Sequence, residues 1–161
     1  MKTPFYDWKI YLDTCCLNGS FNDQTQTRIR RETEAIQTLL KYCFTERWLW
    51  ITSDVLIVEV NNTPNQIQRG YMRAQLDRAY QNVLVGAIEN TRGQELEALG
   101  FKWFDALHLA CAESSRVDVF LTTDDRLIRR VNRIRALLQV RVENPYTWLQ
   151  EEIRNERTKD D

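Results

Sequence analysis

The sequence predicts an α/β fold in which a central parallel β-sheet is covered by helices on both faces, a three-layer α/β/α arrangement. Three observations predict it. Short apolar runs alternate with segments of helical periodicity along the chain. Two of those runs end at an acid, Asp13 and Asp124, as the carboxyl edge of a parallel sheet often does. No internal repeat, low-complexity tract or domain boundary divides the 161 residues, so one domain is expected over 1–150, with a polar C-terminal tail over 151–161.

The elements follow in order. Lys9 to Asp13 reads as a short buried strand ending at its acid. Phe21 to Gln24 is polar and turn-like. Thr25 to Phe44 shows helical spacing, with Ile29, Ala35, Ile36, Leu39, Leu40 and Phe44 on one face. Trp48 to Thr52 reads as a second strand. Ser53 then caps a helix that runs through Val60 and carries Glu59. Pro64 interrupts, and a polar helix is expected from Asn65 to Gln81. Val83 to Val85 is a short third strand. Thr91 to Leu99 is helical and Gly100 ends it. Lys102 to Ser115 is an apolar helix containing Asp105 and His108. Val117 to Thr122 is a strand. Asp124 or Asp125 opens the next helix, to about Leu138, and Val140 to Val142 is a last strand. Pro145, near the first helical position, begins a terminal helix, and the end from Glu151 is expected to fray.

Four stretches place a carboxylate within or at the end of an apolar run. They are Ile10 to Thr14 with Asp13, Leu56 to Val60 with Glu59, Trp103 to Ala110 with Asp105, and Phe120 to Asp125 with Asp124. A charge buried there is costly unless it is paired or bound to a cation. Carboxylates gathered at one point repel, and a hard divalent cation relieves the repulsion. The pattern therefore points to a Mg²⁺ or Mn²⁺ site. Such an ion polarises a phosphate and lowers the pKa of a bound water, so three or four acids around a cleft suffice for phosphodiester hydrolysis.

Other classes lack their parts. A Ser-His-Asp hydrolase is disfavoured, because the single histidine has no Gly-x-Ser-x-Gly elbow beside it. The five glycines are scattered and form no phosphate loop. A net charge of −1 argues against a strongly cationic nucleic-acid coat protein and leaves a nuclease open. Cys15, Cys16, Cys43 and Cys111 show neither a zinc pattern nor a disulfide framework, and read as reduced, mostly buried thiols of a cytoplasmic protein. Met1 to Trp8 contains no apolar leader, and no stretch is long and apolar enough to cross a membrane.

Taken together, the four stretches resemble the PIN-domain family over about Lys9 to Trp148, and the compact format resembles its VapC-type toxins. The segment from Phe104 to Ala110 followed by Phe120 to Asp124 carries the resemblance most specifically. The resemblance implies a Mg²⁺- or Mn²⁺-dependent ribonuclease, a paired antitoxin and, with the apolar helices, a homodimer. It implies that Asp13, Glu59, Asp105 and Asp124 are the family's acids in order. Asp13, Asp105 and Asp124 would be direct or water-mediated ligands, Glu59 would complete the cluster or orient a water, and Thr14 and Thr123 would hold the carboxylates. Two departures stand. Cys15 occupies a position where the family often has Asn or Ser, and the doublet Asp124-Asp125 leaves the fourth acid ambiguous, with Asp124 preferred and Asp125 read as a helix-start residue.

His108 lies three residues after Asp105 and shares its face, yet reads as a core or interface histidine. Trp48, Trp50 and Trp103 read as core. From Arg126 to Arg141 six arginines occur with no acid among them, and Arg126, Arg129, Arg130 and Arg133 share a helix face. That face suits an RNA backbone, an acidic partner segment or plain solvation. The rival readings are a PIN-fold RNA- or protein-binding module that does not cut, and a different Mg²⁺ enzyme such as a phosphatase. The second needs an Asp-x-Asp pair, which Asp13-Thr14-Cys15 does not supply.

Overall fold

β1 (Trp8–Leu12) forms the middle of the sheet, with Ile10 and Tyr11 partnered by a strand on each side. It pairs in parallel with β2 (Trp48–Ser53) on one side and β4 (Val119–Leu121) on the other. β3 (Gln81–Val83) extends the sheet beyond β2, and β5 (Val142–Glu143) extends it beyond β4. The order is β3-β2-β1-β4-β5, parallel throughout. The structure is a computed structural model and describes residues 7–45 and 47–160, with the backbone alone for 156–160. The reading of residues 1–6 as free of a leader lies outside the described residues, as does Asp161 of the tail.

The helices are α1 (Thr14–Asn18), α2 (Thr27–Phe44), α3 (Asp54–Asn61), α4 (Gln66–Leu76), α5 (Ala87–Ala98), α6 (Trp103–Ser114), α7 (Asp125–Arg133) and α8 (Pro145–Asp160). Strand alternation divides the core between the two faces. Ile10, Leu12, Val119, Leu121 and Trp50 point to one side, where Leu17, Ile36, Leu39, Met72 and Trp148 cover them. Tyr11, Ile51, Phe120 and Val142 point to the other, against Leu96, Leu109, Ala112, Leu127 and Val131. The result is the three-layer α/β/α architecture expected, with a parallel sheet buried on both faces.

Several element ends differ from expectation. α1 is an extra single helical turn after β1, continued by a 3-10 turn at Gly19–Phe21. α4 stops at Leu76 rather than Gln81, because the chain must turn to pair Gln81 with Ile51, and Tyr80 N already donates to Trp50 O at 3.0 Å. β3 therefore lies two residues earlier than the apolar run Val83 to Val85 indicates, and Leu84 is exposed. α5 begins at Ala87, four residues early, where the Glu89 carboxylate accepts from Gly86 N at 3.1 Å. α7 ends at Arg133 and gives way to a 3-10 turn at Arg135–Leu137. α8 starts at Pro145 as expected, with Asn144 Oδ1 accepting from Tyr146 N at 2.8 Å, and its helix continues past Glu151.

Gly100 ends α5 in a Schellman motif. Gly100 N donates to Glu97 O, Phe101 N donates to Leu96 O, and the buried Phe101 and Leu96 side chains belong to one core cluster. The Gly100 φ of 105° is a region L-residues avoid. Gly100→Ala is expected to cost about 1–2 kcal/mol, read as a lower urea midpoint with unchanged slope. An unmoved midpoint would refute the role given to this turn.

Candidate metal centre

The chain runs from β1 outward to β3 on one side and returns through β4 to β5 on the other, so the sheet reverses direction of assembly between β1 and β4. Such a switch point opens a crevice at the carboxyl ends of the two strands. β1 ends at Leu12 and delivers Asp13 directly after it, and β4 leads into Thr122, Thr123 and Asp124. Asp13 N donates to Leu121 O at 2.9 Å, which locks the two strand ends together.

Asp13 is 7% exposed and caps α1. Its Oδ1 accepts from Thr14 N at 2.8 Å, and its Oδ2 accepts from the Thr122 hydroxyl at 2.8 Å and from the Cys15 thiol at 3.5 Å. Glu59 reaches the same place from the second turn of α3, the helix capped by Ser53 after β2. Its Oε1 accepts from Thr14 Oγ1 at 3.0 Å and also bonds His108 Nε2. Burial pushes the Glu59 carboxyl up, but the His108 ring and the Thr14 hydroxyl outweigh it and hold the group below its usual range.

His108 is 1% exposed, on α6 one turn after Asp105. Ligand atoms of Asp13, Glu59 and His108 all lie within 4.8 Å of one another. Asp105, half-buried in the first turn of α6, has its pKa pushed up to about 6. Burial is the main cause, and the negative charges of Asp13, Asp124 and Glu59 add to it while His108 opposes. Asp124 is exposed and caps α7, its Oδ1 accepting from Arg126 N at 2.9 Å and Leu127 N at 3.3 Å.

Residues 10–134 match the family model described as PIN domain. The chain belongs to the PIN-domain family. No curated protein matches it in sequence. Its fold is similar to that of VapBC2 from Rickettsia felis bound to a promoter DNA fragment (TM-score 0.58, 15% identity, 84% of this chain and 98% of that one). It is also similar to FitAcB from Neisseria gonorrhoeae (TM-score 0.55, 14% identity, 85% and 98%). DNA-bound VapBC from Salmonella typhimurium gives a TM-score of 0.58 at 14% identity, covering 86% of this chain and 99% of that one.

Within this PIN domain the four sequence-read acids fall into two arrangements. Asp13 and Glu59 stand in tight contact with shared neighbours. Asp105 and Asp124 complete the negative field around them without joining the 4.8 Å group. Asp125 is engaged elsewhere, in a two-point ion pair with Arg28 at 2.6 and 2.7 Å. The hydroxyl that holds Asp13 belongs to Thr122, fully buried, and Thr123 contributes only backbone: its N donates to Cys15 Sγ at 3.4 Å. Cys15 therefore does serve the site, through Asp13 and Thr122.

Three residues escaped the sequence reading. His108 is buried as expected, yet it is bonded to Glu59 instead of standing as inert core. Tyr11 and Ser53 lie behind it, the Tyr11 hydroxyl 2.6 Å from both His108 Nδ1 and Ser53 Oγ. The only signal was the spacing of Asp105 and His108. Trp103, read as core, is 36% exposed at the start of α6, with its ring against Gly93. A cavity of about 690 Å³ between α2, α7 and α8 is separate, lined by none of the four acids.

Proposed function

We propose that this PIN domain is a Mg²⁺- or Mn²⁺-dependent ribonuclease, the toxin of a type II toxin–antitoxin pair, and that it acts as a homodimer. The observation that carries the reading is the acid cluster itself, in which crowding and burial push Asp105 toward its neutral form. A fold gains nothing from such repulsion unless a cation is there to offset it. The donor set fits that group, since carboxylate oxygens suit a hard divalent ion. Asp13 and Glu59 would hold it, with Asp105 and Asp124 completing the negative shell. When bound, a divalent ion supplies Lewis acidity to a phosphate and to an attacking water. Thr122, Thr14 and Cys15 fix the Asp13 and Glu59 carboxylates through the bonds already described.

Substrate charge would be met by α7, which begins beside Asp124. Arg126, Arg129 and Arg133 are exposed along it. Arg135 bonds Asn132 and Arg141 is tied to Glu143 and Glu151, so the six arginines do not act as one surface. The paired substitution Arg129→Gln with Arg133→Gln is expected to weaken binding of all single-stranded RNAs alike. It should also lower the salt slope of log K by about 0.7 per arginine. Fluorescence anisotropy over a salt series, in an Asp13→Asn background, checks this, and an unchanged slope would remove α7 from the RNA surface.

The antitoxin expectation is supported by the similar folds found in VapBC and FitAcB complexes. The deciding experiment is cleavage of a mixed RNA pool by the purified chain under Mn²⁺ and Mg²⁺ titration, with Asp105→Asn in parallel. Metal-dependent cleavage lost in the variant supports the ribonuclease, and metal-independent cleavage sinks it.

A further inference from the structure

Glu59 is the acid with the most constrained surroundings. Both of its protein donors, Thr14 Oγ1 and His108 Nε2, converge on Oε1. An ionised carboxylate only accepts, so His108 Nε2 carries the ring proton. With that single proton on a neutral ring, Nδ1 presents its lone pair and accepts a hydrogen bond from the Tyr11 hydroxyl at 2.6 Å. The Tyr11 oxygen in turn accepts from Ser53 Oγ at 2.6 Å. Ser53 Oγ is anchored by Leu56 N at 3.3 Å as the cap of α3.

The bonds therefore run in one direction, Ser53 to Tyr11 to His108 to Glu59. Ser53 and Tyr11 are fully buried and His108 is 1% exposed, so water does not compete. The chain starts at the cap of α3 and returns to Glu59 on the same helix, crossing β1 and α6 between. It joins three elements around the acid cluster.

We propose that His108 is a positioning residue, held as the Nε2–H tautomer by Tyr11 and Ser53, which turns Glu59 so that Oε2 is the oxygen offered to a divalent cation. The proposal rests on the metal reading above. It excludes His108 from the ligand set: its proton is committed to Glu59 and its lone pair to Tyr11, although its Nε2 lies only 3.9 Å from Asp13 Oδ1.

His108 is the only histidine, so ¹⁵N-histidine labelling of the full chain reports this ring alone. The expected spectrum shows a protonated Nε2 and a bare Nδ1 in the metal-free protein, both unchanged on saturation with Mg²⁺. Loss of the Nε2 proton on adding Mg²⁺ would make His108 a direct ligand and overturn the proposal. Calorimetric Mn²⁺ affinity supplies the second readout. His108→Leu alone strands the buried Tyr11 hydroxyl, so it is combined with Tyr11→Phe to remove both partners together. The double variant is expected to bind Mn²⁺ about 10-fold or more weakly, the usual cost of removing a ligand's orienting partner. His108→Gln, which keeps an Nε2 donor, should recover most of that loss. A packing role predicts the reverse order, and native affinity in the double variant overturns the proposal. The expected tautomer and affinity losses in a chain that cuts no RNA would overturn the ribonuclease reading alone.

Discussion

Asp13→Asn is expected to lower metal-dependent RNA cleavage by at least about a hundredfold, equivalent to roughly 3 kcal/mol of transition-state stabilisation, while leaving the fold in place. The reason is local. Asn keeps an oxygen for Thr14 N, so the cap of α1 survives. Its amide can meet the Thr122 hydroxyl that Asp13 Oδ2 meets now, because a hydroxyl accepts as well as donates. The anionic oxygens alone are lost. The Asp13 carboxylate is fixed by both Thr14 N and the Thr122 hydroxyl. Initial rates on a fluorophore–quencher RNA, with thermal melting of the same samples, check the expectation. A variant that folds and cuts at the native rate would remove Asp13 from the chemistry and with it the metal centre.

Asp105→Asn is expected to abolish cleavage too, but to make the metal-free chain more stable. The Asp105 carboxyl is raised to about 6, first by burial and then by Asp13, from about 3.9 in an unfolded chain. The folded state thus binds the extra proton between about pH 4 and pH 6. Stability falls as pH rises through that window, and above it the whole penalty is present. A shift of that size corresponds to about 3 kcal/mol, and partial exposure screens it to about 1–2 kcal/mol. Urea unfolding in a chelator should therefore show the variant more stable than the native chain at pH 7.5 and equal to it near pH 4. Adding Mn²⁺ should stabilise the native chain more than the variant, since binding to the folded state adds stability by mass action. Equal stability of the two chains at both pH values would show that Asp105 carries no electrostatic burden.

Much of the fold was legible because its signals are local. The 18-residue α2 shows its apolar stripe plainly, Ser53 caps α3 and Pro145 opens α8 as the sequence indicates, and Gly100 closes α5. α1 was invisible because five residues show no period, and Cys15, Cys16 and Leu17 look like a continuation of the strand. β3 was displaced because edge pairing with β2, rather than apolar content, decides where it starts. Cleft residues behaved likewise. An acid inside an apolar run announces itself, so Asp13, Glu59, Asp105 and Asp124 could be singled out. A tyrosine in a strand and a serine at a helix cap announce only strand and cap.

By itself the sequence determined the layered α/β architecture and the acids worth attention, since alternation, capping and misplaced charge are properties of neighbours along the chain. Only the tertiary structure decided that Thr122 rather than Thr123 holds Asp13, that Asp125 is spent on Arg28, and that Glu59, His108, Tyr11 and Ser53 form one bonded line. Those contacts span up to 109 positions of the chain. They depend on the parallel register that sets Leu12 beside Leu121, and on the side to which each strand residue turns. A single-residue slip in that register would turn Tyr11 away from His108, and no local pattern records it.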